Sequence, residues 1–402
     1  MVIEPKFKKE FVINVVTGKG GGGHYATYHA IRDVAEQQQL PWRFQVTDMD
    51  DIMASMTEQK KVVNVYKLFG FSVHELYNLM LKSGWTWLWP LQMRLNKLLV
   101  KLNYDAGVRF FEQYWDQQQP DMVVSIVTMC NKVLWESLQR VKPGTPYVTL
   151  PIDFADYPPG FWIEPQTDNY TVCGTEKALE QAHSLGVKEE RIIQTSGMVI
   201  HPRFYEPMKC DRATERQKLG LDPDCLTGVV MFGGNGSQAM IEIAKRLECF
   251  GEKLQFIFLC GRNQELAETL RNNQGIQKRF VTTFTENVPY YMHLADFFIG
   301  KPGPGSLSEA LAMQLPVIVE RNAATLIHER YNTDWIEQKQ VGLVLRSFRD
   351  IHKAVEQFLE PENFALYHAN VAAVKNLAVF EVAEVLQKIL VTSDKTTVTE
   401  LA

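Results

Sequence analysis

The chain has 402 residues, 46% of them hydrophobic and 22% charged, with a formal net charge of −5. Single cores stop growing at roughly 250–300 residues, so two domains are expected. The acidic balance argues against nucleic-acid partners, and the sequence has no run of about 18 uncharged apolar residues that could span a bilayer.

Residues 1–10 carry mixed charge and run straight into a strand pattern, so a secretory leader is not expected. The six cysteines (130, 173, 210, 225, 249 and 260) include no CxxC pair, which fits reduced thiols in a cytosolic protein. In chain order, short β-branched runs alternate with helical patterns. The first set of strands is expected at 11–17, 43–47, 122–128, 147–152, 170–173 and 191–195. The second set is expected at 228–232, 254–260, 279–284, 297–299, 316–319 and 342–345. Runs that are apolar throughout suit parallel strands covered on both faces, and intervening helices make the class α/β. The polar stretch 207–223 breaks the pattern and reads as the linker. The boundaries expected are therefore 1–206 and 207–402, two Rossmann-like, doubly wound halves facing across a cleft. The last helices are candidates to pack back on the first half.

The first strand runs into Gly18-Lys19-Gly20-Gly21-Gly22-Gly23-His24. Gly18, Gly20 and Gly23 satisfy GxGxxG and Asp48 ends the next strand, so a dinucleotide site has to be weighed. Four consecutive glycines also let the backbone close around something bulkier, and His24 then projects from the start of the helix. The acidic cluster Asp48, Asp50 and Asp51 reads as a strand-end and helix-cap group and not as a metal site.

The second half places four loops at C-terminal strand ends, the rim where open parallel sheets bind ligands. They are Phe232-Gly233-Gly234-Asn235-Gly236, Cys260-Gly261-Arg262-Asn263, Phe284-Thr285-Glu286-Asn287-Val288 and Lys301-Pro302-Gly303-Pro304-Gly305-Ser306. The last of them opens a helix that carries Glu309. Unpaired amides and the positive end of a helix dipole hold a diphosphate, and a carboxylate one turn further on reaches a pair of hydroxyls. Arg262 can neutralise phosphate, and the backbone at Asn287–Val288 can pair with a base edge.

These pieces, with Ile152-Asp153-Phe154 and His328-Glu329 plus Asn332, resemble the inverting glycosyltransferases of the monogalactosyldiacylglycerol synthase family. More distantly, the chain is similar to the cell-wall enzyme that adds N-acetylglucosamine to lipid-linked muramyl pentapeptide. The resemblance spans about 12–345 and implies a two-domain GT-B fold with acceptor sites in the first half and the UDP-sugar in the second. It implies Glu309 at the ribose, and Pro304, Gly305 and Ser306 at the diphosphate. His328 and Glu329 would face the sugar hydroxyls with Asn332 in support, and Gly23, Gly234 and Asn235 would lie in donor-facing loops. Inversion needs a base for the acceptor hydroxyl and fixed positive potential for departing UDP. His24 and Asp153 are the two candidates for the base, and the sequence does not choose between them. No metal and no cofactor is expected; the UDP-hexose is the donor substrate. In place of the histidine that galactolipid synthases carry after the Asp motif, this chain has Asp156-Tyr157-Pro158-Pro159-Gly160-Phe161-Trp162.

Residues 82–109 hold Trp85, Trp87 and Trp89, a leucine stripe, five basic side chains and one acidic one, in a chain of net charge −5. Such a segment suits an anionic membrane surface, and the alternative is an ordinary core helix. The expectation is a protein acting on a lipid hydroxyl, most simply diacylglycerol, from a peripheral position on the cytoplasmic face. Galactose is the first donor choice and glucose the second. A soluble acceptor, a UDP-sugar epimerase and a non-catalytic nucleotide-sugar-binding protein are the rival readings.

Overall fold

A computed structural model describes residues 10–19, 22–58, 89–273 and 275–400. The chain divides into two compact units, 1–201 with 377–402, and 202–376. All twelve expected strands form.

In the first unit β1 (Phe11–Thr17), β2 (Trp42–Asp48), β3 (Met122–Ser125), β4 (Tyr147–Thr149), β5 (Tyr170–Cys173) and β6 (Ile192–Gln194) make one sheet. Its order is β2-β1-β3-β4-β5-β6, with every neighbouring pair parallel. The two-residue period of a strand sorts its side chains: Ile13, Val15, Val124 and Ile126 pack on one face, Val16 and Val123 on the other. Both faces are covered, so the strands read as unbroken apolar runs.

The second unit repeats the plan with β7 (Leu226–Met231), β8 (Leu254–Leu259), β9 (Arg279–Thr282), β10 (Phe297–Gly300), β11 (Val317–Glu320) and β12 (Gly342–Leu345). The order is β12-β11-β10-β7-β8-β9, again all parallel. Chain direction across the sheet reverses between β1 and β3 in the first unit and between β7 and β10 in the second. Loops leaving such switch points diverge and open a crevice for a ligand.

Two sequence expectations about the division are corrected. The stretch 207–223 is no linker: Asp211 caps a helix at Arg212–Lys218, accepting from the Thr214 amide at 2.8 Å. Inside that helix Arg216 is 4% exposed and donates to the carbonyls of Leu294, Pro223 and Cys225 and to Asp296. A guanidinium so engaged binds the stretch into the second unit, and the division falls at 201/202. The second domain also ends before 402, and the last helix packs back on the first half, as anticipated for it. The final helix, Ala378–Glu400, buries Val382, Leu386, Ile389 and Leu390 against Ile13, Val15 and Ile31 of the first unit. The Trp42 indole donates to Gln387 at 2.6 Å, and Glu381 accepts from the Ser196 amide at 2.7 Å.

Candidate active site

In the first unit the helix Gly23–Gln37 starts at the β1 end of the switch point. Gly22, at φ 69°, is the N-cap in the left-handed region, and no side chain caps the helix. A Cβ on Gly23 would stand 3.1 Å from Ile152 Cδ1, so this turn lies against the loop after β4, next to Asp153. His24 Nδ1 lies 2.5 Å from the carbonyl of Ile126, just past β3. A carbonyl only accepts, so the neutral ring carries its proton on Nδ1 and its lone pair on Nε2. Asp153 is buried and accepts from the Trp162 indole at 2.8 Å. The His24 and Trp162 rings stand 6.3 Å apart between centroids, so both candidate bases border one indole.

The acidic cluster behaves as a cap. Asp48 Oδ1 accepts from the amides of Asp50 and Asp51 at the start of the helix Met49–Glu58. Its Oδ2 accepts from Tyr25 at 2.6 Å, a bond that pushes the phenol up to about 12. Asp50 accepts from the Lys19 amide at 2.7 Å and Asp51 pairs with Lys19 Nζ, which ties down the start of the glycine loop. The dinucleotide reading would need Asp48 for a ribose, and these bonds already occupy it.

Asp156 had no role assigned from the sequence. Its carboxylate, buried in the turn after β4, accepts from the amides of Gly160, Phe161 and Trp162 at 2.7, 2.9 and 2.6 Å. Burial raises its pKa, and the three backbone donors work against that rise. Phe161 and Trp162 are thereby held inside their own unit.

In the second unit the loops after β7, β8 and β10 meet. The Arg262 amide donates to Gly234 O at 2.8 Å, and Gly261 sits at φ 60°, where a Cβ would fall 2.4 Å from that carbonyl. The Arg262 guanidinium lies 4.6 Å over the ring of exposed Phe284, which connects the loop after β9. Asn287 begins the short helix Val288–His293 and stands exposed, as do Gly23, Gly234 and Asn235.

The turn after β10 opens the helix Pro304–Ala312 with no side-chain cap. Leu307 is its first residue to donate an intrahelical bond, to Gly303 O. The amides of Gly305 and Ser306 therefore belong to the unbonded first turn. Ser306 Oγ donates back to Gly303 O at 3.2 Å. One turn on, burial pushes the Glu309 carboxyl up to about 7, with Arg203 pulling against it.

His328 and Glu329 lie in the first turn of the helix Ile327–Lys339. Glu329 is no solvated surface group: its side chain is 8% exposed and its Oε1 is 3.1 Å from Lys301 Nζ. Asn332, fully buried, donates to Pro302 O at 2.7 Å, so its support goes to the backbone of the turn. Lys301 was missing from the expected site residues, although its place directly before Pro302-Gly303 put it in the motif.

The profile described as "Monogalactosyldiacylglycerol (MGDG) synthase" matches residues 24–200, and that described as "Glycosyltransferase family 28 C-terminal domain" matches 228–387. The chain is thus similar to monogalactosyldiacylglycerol synthases over its first half and to family 28 glycosyltransferases over its second. It is 24% identical over 355 residues to monogalactosyldiacylglycerol synthase 1, chloroplastic, of Arabidopsis thaliana, covering 85% of this chain and 63% of that protein. It is 24% identical over 341 residues to the processive diacylglycerol beta-glucosyltransferase of Bacillus subtilis, covering 84% and 81%. It spans 59% of the length of two similar Oryza sativa proteins, described as probable monogalactosyldiacylglycerol synthase 2, chloroplastic. Among solved structures, MurG of Acinetobacter baumannii has TM-score 0.59 at 12% identity, covering 94% of this chain and 99% of that one. The calicheamicin glycosyltransferase CalG4 has TM-score 0.58 at 13% identity, covering 95% and 99%. The fold is thus GT-B, as the resemblance implies.

Further along the first unit, the helix Trp89–Leu102 leaves Leu91, Leu98 and Leu102 exposed at 65, 51 and 69%, with Arg94, Lys97 and Lys101 exposed beside them. Residues 82–88, with Trp85 and Trp87, lie outside the described residues. No helix among the described residues is long and apolar enough to cross a membrane.

Proposed function

We propose that this protein transfers a hexosyl group from a UDP-sugar to the free hydroxyl of diacylglycerol, with inversion at the anomeric carbon. The observation that carries the reading is the rim of the second sheet. There an uncapped helix start at Gly305–Ser306, the cations of Lys301 and Arg262, and Glu309 one turn on supply the kinds of group that a diphosphate and a ribose require. The family match and the names of the relatives supply the lipid acceptor.

In this mechanism His24 Nε2 takes the proton of the acceptor hydroxyl while its oxygen bonds to the anomeric carbon. The bond from that carbon to the diphosphate oxygen breaks on the opposite face, and its electron pair leaves with UDP. Asp153, beside the same indole, favours the imidazolium that forms. The helix amides, Lys301 and Arg262 take up the charge on the leaving diphosphate, a task that a divalent cation does in other transferases. Asn287 and Val288 meet the base, while His328 and Glu329 meet the hexose. Galactose is the first choice of sugar and glucose the second. Exposed leucines flanked by cations on the helix Trp89–Leu102 hold the protein peripherally on anionic membrane, where its acceptor resides.

The test is a panel of UDP-sugars incubated with the full chain and diacylglycerol in mixed-lipid vesicles, with products identified by mass and linkage. A β-linked hexosyl diacylglycerol is expected. Transfer only to soluble acceptors, epimerised donor without a lipid product, or UDP binding without turnover would each overturn the proposal.

A further inference from the structure

Behind the first unit's rim lies a buried amide that the proposed chemistry does not use. Asn131 opens the helix Asn131–Val141 and is 2% exposed. All four of its hydrogen-bonding positions are filled. Its Oδ1 accepts from Ser125 Oγ at 2.6 Å and from Tyr147 OH at 2.8 Å. Its Nδ2 donates to the carbonyls of Val127 and Trp162, both at 3.1 Å. A side-chain amide has two donors and two acceptor sites, so its orientation is fully determined by these bonds.

The four partners are the supports of the two candidate bases. Val127 follows Ile126, whose carbonyl holds His24 Nδ1. Trp162 gives its carbonyl to Asn131 and its indole N–H to Asp153. Ser125 and Tyr147 belong to β3 and β4, the strands that lead toward Ile126 and Asp153. The Met129 amide adds a parallel tie, donating to Phe161 O at 2.9 Å. His24 and Asp153 thus hang from opposite ends of one hydrogen-bonded bracket.

We propose that Asn131 is a positioning residue that sets the separation of His24 and Asp153, acting through the Ile126–Val127 backbone on one side and Trp162 on the other. This rests on the transfer mechanism given above. Reacting groups have to be held at near-attack geometry, and a misplacement of about 1 Å costs on the order of 100-fold in rate. The donor is bound by the other unit, so a disturbed bracket changes kcat and leaves donor affinity alone.

The decisive variant is Asn131→Asp, which keeps the volume and the acceptors for Ser125 and Tyr147 but gives up the amide donors. Rates are normalised to the fraction of chains with a folded first unit, read from near-UV circular dichroism and the unfolding transition of that unit. The expected result is a loss of kcat of about 10–100-fold with KM for the UDP-sugar and Kd for UDP within about twofold. If Asn131→Asp does not fold, benzothienylalanine at position 162 replaces only the indole N–H by sulfur, and the same split is expected. 7-Azatryptophan there, which keeps that N–H, restores the rate. Unchanged kcat in the normalised variants, or KM rising in step with the loss, overturns the role of Asn131. A wild-type protein that makes no glycolipid overturns the transfer mechanism, and this inference with it.

Discussion

Replacing Glu309 with Gln separates the function of the second sheet's rim from its stability. The Glu309 carboxyl titrates near 7 in the folded chain against a reference of 4.5, because burial disfavours the charged form. The difference is about 2.5 units, and at 1.36 kcal/mol per unit it corresponds to about 3 kcal/mol before allowance for the group's partial exposure. A raised carboxyl pKa means that the folded state holds the proton more tightly than the unfolded one. This contribution is therefore fully present below the unfolded value and is lost as pH rises through 7. With roughly 2–4 °C per kcal/mol for a unit of this size, the wild-type Tm should fall by about 5–10 °C between pH 5 and pH 8 relative to Glu309→Gln. The variant carries no charge at any pH and escapes that loss. At pH 8 it should therefore be the more stable protein and the weaker UDP binder, since glutamine offers the ribose hydroxyls one acceptor oxygen in place of a carboxylate. Scanning calorimetry from pH 5 to 9, with and without a UDP-sugar whose diphosphate diester does not titrate near neutrality, reads both effects. Parallel Tm profiles for the two proteins would refute the reasoning.

Other residues offer equally direct tests. His24→Ala should abolish transfer while UDP binding by calorimetry persists; near wild-type turnover would remove His24 from the mechanism. Lys301→Met leaves the buried Glu329 carboxylate without its half-exposed cation and should cost about 1–3 kcal/mol in denaturant titrations. Adding Glu329→Gln should recover most of that stability but not the UDP affinity lost with the ammonium. Asp156→Ala orphans three amides of the 160–162 turn and should destabilise the chain by about 3 kcal/mol in urea, with loss of transfer. Charge reversal at Arg94, Lys97 and Lys101 should release the protein from anionic liposomes in sedimentation, whereas equal partitioning would return the helix Trp89–Leu102 to an ordinary structural role.

Most features that are local in the chain could be found from the sequence, the capped helix Arg212–Lys218 being an exception. Each strand is a short apolar run that can only be satisfied between two covering layers, so all twelve could be placed from composition and period alone. The glycine loops were legible for the same reason: backbone that must turn at positive φ, or lie against another backbone, selects glycine at that position. Gly22 and Gly261 bear this out. The acidic cluster at 48–51 was readable as a cap, because its partners lie two and three residues away.

Only the tertiary structure decided what depends on partners distant in the chain. The helix Ala378–Glu400 shows an ordinary amphipathic stripe, and nothing in that stripe says that its buried face belongs to β1, more than 350 residues earlier. The family motif pointed to Glu329, but its pairing with Lys301, which arrives from the turn after β10, had no signal in the sequence. Asn131 has no sequence signal at all, since its four bonds reach Ser125, Val127, Tyr147 and Trp162 from three separate segments. Periodicity records which way a side chain faces. Hydrogen-bond partners across a fold exist only once the sheet has ordered the loops that carry them.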